Sequence, residues 1–110
     1  MITEVKKNRS FFVEGAISPQ QIADSIASHS RKKNIGAHEI FLGQVRADIL
    51  NNKTVTAIDY TVYLEMAEKE IEKIREDIIR KYNLTCAHVI HSTGKINTGE
   101  LCFFVFVSSY

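Results

Sequence analysis

Apolar positions along the chain fall into two periods, one near four and one near two. From about Leu64 to Tyr82, residues Ala67, Ile71, Ile74, Ile78 and Tyr82 recur at intervals of four, three, four and four. That spacing gives one apolar stripe and predicts a helix. Its other faces carry Glu65–Lys69, Glu76–Arg80 and Asp77–Lys81 at i,i+4, the signature of a solvated helix surface. Asn83 follows as a C-terminal stop. A shorter helix is predicted from Pro19 to about Ser30: Ser18 stands as N-cap, Pro19 as the first helical residue and Gln21 at N3. Ile22, Ala23, Ile26 and Ala27 form its apolar face.

The remaining apolar runs read as strands. Phe11–Val13 is one, and Ile35–Arg46 is a second, interrupted by Gly36 and Gly43, where a bulge or a close backbone approach is expected. Asn51-Asn52-Lys53 has hairpin-turn chemistry, because asparagine tolerates positive φ. It leads into the β-branched and aromatic run Thr54–Tyr63, so the segments on either side are expected to pair antiparallel. Thr85–His91 is followed by a turn containing Gly94 and Gly99, then by Leu101–Val107, apolar at every position. Such a strand must be covered on both faces, with helices on one side and protein on the other. The order β-α-β-β-α-β-β predicts an α+β domain on a mostly antiparallel sheet with two helices, an order that ferredoxin-like domains share.

A chain of 110 residues is expected to form a single domain, 1–110, since either half would bury too small a core. The net charge of +1 supplies no basic field for nucleic acid or an anionic membrane, so any anion site must be local. The N-terminal Met1–Lys7 lacks an apolar signal core and no run approaches a membrane span, which points to the cytoplasm. Cys86 and Cys102 sit in apolar runs without CxxC spacing and read as small buried hydrophobes.

Candidate chemistry is sparse. His88 and His91 lie in a predicted strand at opposite parity and point to opposite faces, which argues against a joint metal site. His38 and Glu39 likewise diverge, and there is no HExxH, GxSxG, P-loop or dinucleotide fingerprint. No cofactor is called for. Gly43-Gln44-Val45-Arg46 ends a strand and enters a polar loop. Arg46 is there either a solvated edge residue or a planar fork for a phosphate or carboxylate. His91-Ser92-Thr93-Gly94-Lys95 is either a polar turn or a second anion-facing segment.

Four stretches, taken in order, resemble the molybdopterin synthase large-subunit family. They are Gly36–Arg46, Ile58–Ala67, Ala87–Lys95 with Gly99-Glu100, and Phe104–Ser109. They match the family's Phe-x-Gly-x-Val-Arg segment, its His-x-x-Gly-x-x-x-x-Gly-Asp/Glu turn and its closing Val-x-Val-x-Ser strand. The resemblance implies the family's fold, of α/β-hammerhead type. It implies insertion of two sulfurs into cyclic pyranopterin monophosphate to give the dithiolene of molybdopterin, in molybdenum cofactor biosynthesis. The sulfur would come as a thiocarboxylate on the C-terminal Gly-Gly tail of a small ubiquitin-like carrier subunit. A central homodimer of large subunits within a heterotetramer follows from the same resemblance. Arg46 matches the substrate-binding arginine, Gln44 and Val45 line the same strand end, Phe41 packs near the pterin or the tail, and His91 is structural. The family continues after its last strand with a His-Arg pair and two lysines, which lie beyond Tyr110. The expectation is therefore a shortened member with catalytic residues unassigned and strand Leu101–Val107 unusually exposed, favouring self-association. The alternatives are a non-catalytic dimeric scaffold that docks the carrier, and a ferredoxin-like ligand-binding domain.

Overall fold

A computed structural model describes residues 11–110; the Met1–Lys7 segment lies outside them. Nine elements follow in order: β1 (Phe12–Glu14), α1 (Pro19–His29), β2 (Ala37–Gln44), β3 (Ile49–Leu50), β4 (Lys53–Thr54), β5 (Ala57–Tyr60), α2 (Leu64–Tyr82), β6 (Leu84–Asn97) and β7 (Leu101–Ser109). The main sheet has five strands in the order β1-β6-β7-β2, with β5 on the far end of β6. Only β1 runs parallel to its neighbour, so the α+β, mostly antiparallel expectation holds.

Both helix ends are set by local chemistry. The Ser18 side chain accepts from the Gln21 amide while the Gln21 side chain accepts from the Ser18 amide, a reciprocal capping box ahead of Pro19. Helix α2 occupies the predicted 64–82 span and ends where Asn83 turns left-handed at φ 54°. Its ion pairs form one residue closer than the spacing suggested, as Arg75–Glu72 and Arg80–Asp77 at i,i+3. Arg75 also donates Nε–H to the Ala87 carbonyl at 2.6 Å, tying α2 to β6. In α1 the expected stripe is corrected: Ala23, Ile26 and Ala27 are exposed, and Ile22 and His29 face the sheet.

Strand pairing departs from the sequence expectation. The Asn51-Asn52 turn exists, with φ of 52° and 63°, but it closes only Ile49↔Thr54 and Leu50↔Lys53. β2 pairs instead with β7, from Ala37↔Ser109 to Gln44↔Leu101, and β5 pairs with β6 at residues 94–97. Apolar β7 needs a neighbour on each edge, and β2 supplies one while β6 supplies the other. At Gly43/Gln44 the register slips, and Val45 is then clamped by the Glu100 carbonyl and the Gly99 amide, which turns the chain off the sheet. Glycine is required at 43, because a Cβ there would lie 2.9 Å from Phe103 Cβ. Gly94, expected in a turn, sits inside β6 at φ +84°; the turn spans only residues 98–100.

The helices lie on opposite faces of the sheet, not on one. Cys102, Phe104, Phe106 and Ser108 of β7 are buried, and Phe104 and Phe106 form a core with Ile17 that Ile22 of α1 covers. Phe103 and Val105 point to the α2 side and are half-buried. No residue of β7 is exposed, which corrects the expectation of a bare strand. The exposed apolar side chains stand elsewhere, on β2 (Phe41, Leu42), on the small hairpin (Ile49, Leu50) and on α2 (Leu64, Met66, Ile74).

Phe104 is fully buried at the centre of this core. Phe104→Ala is expected to lower unfolding free energy by about 3–5 kcal/mol, read as a lower urea midpoint at an unchanged m-value. Phe41→Ala, at an exposed position, should shift that midpoint far less.

Candidate functional site

The end of β2 holds the residues that the sequence singled out. Val45 is buried against Ile96 and Cys102 and anchors the segment. Gln44 before it and Arg46 after it are exposed, so Val45 acts as a peg that presents two polar neighbours. The Arg46 side chain is 84% exposed, and its Nε–H donates to Asp48 Oδ1 at 2.6 Å, with Nη2 at 3.4 Å from Oδ2. That contact holds the guanidinium more firmly protonated than a free arginine, first through the hydrogen bond and then through the charge. Arg46 is therefore a solvent-facing fork with an internal carboxylate in its grip. Asp48 occupies the Nε–Nη2 edge, so an incoming anion either takes the Nη1 side of the fork or displaces Asp48.

Phe41 connects this strand end to a cavity. Its ring meets Phe103 edge-on at 6.0 Å, and Phe103 lines a hollow of about 610 Å³ between α2 and the sheet. Ile71, Ile74 and Ile78 of α2 form one wall and Val89, Phe103 and Val105 the other, so the lining is predominantly apolar. Gln44, Val45 and Arg46 do not line it.

Two polar side chains face into this hollow: His91, from the segment that the sequence offered as a polar turn or an anion-facing one, and Tyr60, which it had not marked as a binding group. His91 is surrounded by Tyr60 at 4.9 Å, Phe103 at 5.5 Å and Phe12 at 6.2 Å, centroid to centroid. Its Nδ1 lies 2.7 Å from the Ser92 carbonyl, which can only accept, so that nitrogen carries the proton. The Tyr60 hydroxyl donates to Cys102 Sγ at 3.5 Å. That hydrogen bond, then burial, pushes the Tyr60 phenol above its ordinary range. The signal in the sequence was parity: Val89 and His91 alternate on the strand face that α2 covers.

As expected from parity, His88 and His91 fall on opposite faces, His88 beside His29 and His91 beside Tyr60. Both cysteines are free and buried. Among the described residues, no helix is long and apolar enough to cross a membrane.

An antiparallel sheet with a helix on each face, a glycine-bulged strand end and an exposed arginine fork define the class of domain. The chain belongs to the MoaE protein family, whose match covers residues 13–110. It is 34% identical over 108 residues to the molybdopterin synthase catalytic subunit of Pyrococcus abyssi, covering 98% of this chain and 66% of that protein. The human molybdopterin synthase catalytic subunit is 35% identical over 74 residues, 67% of this chain and 39% of that protein. The chain thus spans less than two thirds of these relatives' length. Among solved structures, molybdopterin synthase from Staphylococcus aureus superposes with TM-score 0.77 at 23% identity, covering 94% of this chain and 72% of that one. The complex of subunits 1 and 2 of the Helicobacter pylori molybdopterin-converting factor gives TM-score 0.74 at 19% identity, over 89% and 63% of the two chains. These last two establish the fold.

Tyr60 has its raised phenol only while folded, so its neutral form contributes stability that is complete below the ordinary range near about 10 and is lost as pH rises through the raised value. Absorbance titration of the four tyrosines should show a late-ionising phenolate, absent in Tyr60→Phe and moved to lower pH in Cys102→Ala. A titration curve unchanged by Tyr60→Phe would refute the assignment.

Proposed function

We propose that this chain serves molybdenum cofactor biosynthesis as a molybdopterin synthase large-subunit domain. In that role it receives sulfur from a thiocarboxylated, ubiquitin-like carrier and passes it to cyclic pyranopterin monophosphate. The family match over residues 13–110 carries the proposal, and the relatives' shared description as catalytic subunits supports it. The Helicobacter pylori neighbour is a complex of two subunits, which supports a carrier as partner. A homodimer of this chain in the cytoplasm completes the proposed assembly.

Within this proposal the strand end binds substrate. Arg46 exchanges Asp48 for the cyclic phosphate, two donors of its fork meeting two oxygens. Gln44 supplies an amide beside it, and Val45 holds both in place through its buried side chain and its two backbone bonds to the 99–100 turn. Phe41, exposed and set against Phe103, offers a flat apolar wall for the pterin or the carrier tail. These are binding and orienting groups; no acid, base or nucleophile is assigned among them.

Arg46→Ala is expected to weaken binding of cyclic pyranopterin monophosphate roughly tenfold by calorimetry, with an unchanged circular dichroism spectrum. Asp48→Asn should strengthen it, since the competing carboxylate is gone. Unchanged affinity in a folded Arg46→Ala protein would remove Arg46 from the site. The function itself is tested by supplying thiocarboxylated carrier and the cyclic pterin and following dithiolene product. Formation of molybdopterin supports the enzyme, whereas carrier binding without product indicates a docking module.

A further inference from the structure

On the opposite face from the cavity, three potential metal ligands from distant parts of the chain converge. His29 is the last residue of α1, and Cys86 and His88 stand two apart on β6, hence on the same face of the strand. Their ligand atoms all lie within 4.8 Å of one another. The His29 and His88 rings meet edge-on at 4.6 Å, and His29 stacks on Phe106 at 4.6 Å. His29 and Cys86 are buried, while His88 is half-buried and gives access from solvent.

The tautomer of His29 is fixed by its surroundings. Nδ1 lies 2.8 Å from the Ser25 carbonyl one turn back, and a carbonyl can only accept, so Nδ1 carries the proton. Nε2 is left with the lone pair, on a ring whose centroid stands 4.6 Å from that of His88. Among the described residues, it is the buried side-chain nitrogen or oxygen for which no hydrogen-bond partner is found. An unsatisfied buried acceptor is costly and rare. A ligating histidine characteristically donates its second ring nitrogen to a backbone carbonyl in this way.

We propose that His29 Nε2, Cys86 Sγ and the His88 imidazole bind a zinc ion, with water as fourth ligand. Two imidazoles and one thiolate suit a borderline-soft d10 cation, whereas magnesium and calcium need oxygen donors. Bond lengths of about 2.0 Å to nitrogen and 2.3 Å to sulfur place tetrahedral ligand atoms roughly 3.3–3.6 Å apart, so the present spacing needs only a modest inward rotation of side chains. Binding would release the Cys86 thiol proton to solvent. The ion would pin the C-terminus of α1 to β6, at the end of a helix that otherwise holds the sheet through Ile22.

The test is made on the full chain, stripped with chelator and titrated with cobalt(II) chloride, then with zinc chloride. One cobalt per chain is expected, with a thiolate-to-cobalt charge-transfer band, tetrahedral d–d bands and displacement by zinc. Cys86→Ser should abolish the charge-transfer band. His88→Gln, at a half-buried position that tolerates exchange, should weaken zinc by at least about tenfold. Cys102→Ala should leave both unchanged, and a given zinc concentration should raise the thermal midpoint of wild type more than that of His88→Gln. No cobalt uptake by wild type, a charge-transfer band retained in Cys86→Ser, or one lost in Cys102→Ala, would overturn the site.

Discussion

Strand β7 sets the terms for the rest of the molecule. Nearly every one of its residues is apolar, so each face needs a cover and each edge a hydrogen-bonding neighbour. β6 and β2 take the two edges, α1 with Ile17 seals the face of Phe104 and Phe106, and α2 stands over the face of Phe103 and Val105. The two faces are not sealed equally. On the α1 side the side chains are fully buried; on the α2 side they are half-buried, and the cavity is the space left between helix and sheet. Packing that is complete on one side and open on the other is what leaves this small domain its cavity.

The two chemically distinct regions divide along the same line. The His91–Tyr60–Phe103 group and Phe41 belong to the open face, where aromatic rings border a hollow. The His29–Cys86–His88 group belongs to the closed face, where its histidine packs against Phe106 as part of the core. Both draw on β6, and strand parity alone sends His88 to one face and His91 to the other. Arg46 stands apart from either group, beyond the end of β2, with Asp48 as its partner.

Much of this was legible in the sequence wherever the signal is local. The stripe Ala67, Ile71, Ile74, Ile78, Tyr82 with Asn83 behind it marked both ends of α2, and Ser18-Pro19 with Gln21 marked the start of α1. Asn51-Asn52 announced a positive-φ turn. What failed was partnership. A period of two says which face a residue takes but not which strand lies beside it, so β2 was assigned to the segment after the turn when β7 held the stronger claim. The sheet-facing side of α1 was misread because one of its two anchors is a histidine, which an apolar count passes over. The convergence of His29 with Cys86 and His88 could not be seen either, since no spacing rule spans the distance between α1 and β6.

The way β6 and β7 are joined has a kinetic consequence. They meet through a three-residue turn, whereas β2 reaches β7 at Ala37↔Ser109 and β1 reaches β6 at Phe12↔His91, across most of the chain. Closing a short loop costs less entropy than closing a long one, and topologies rich in distant pairings fold slowly. The hairpin of residues 84–109 is therefore the piece that can assemble first, with α2 leading directly into it through Asn83. Until β1 and β2 arrive, that hairpin has unpaired edges and a second strand that is apolar from Leu101 to Val107. The strand with no exposed residue in the finished fold is thus an adhesive one during folding.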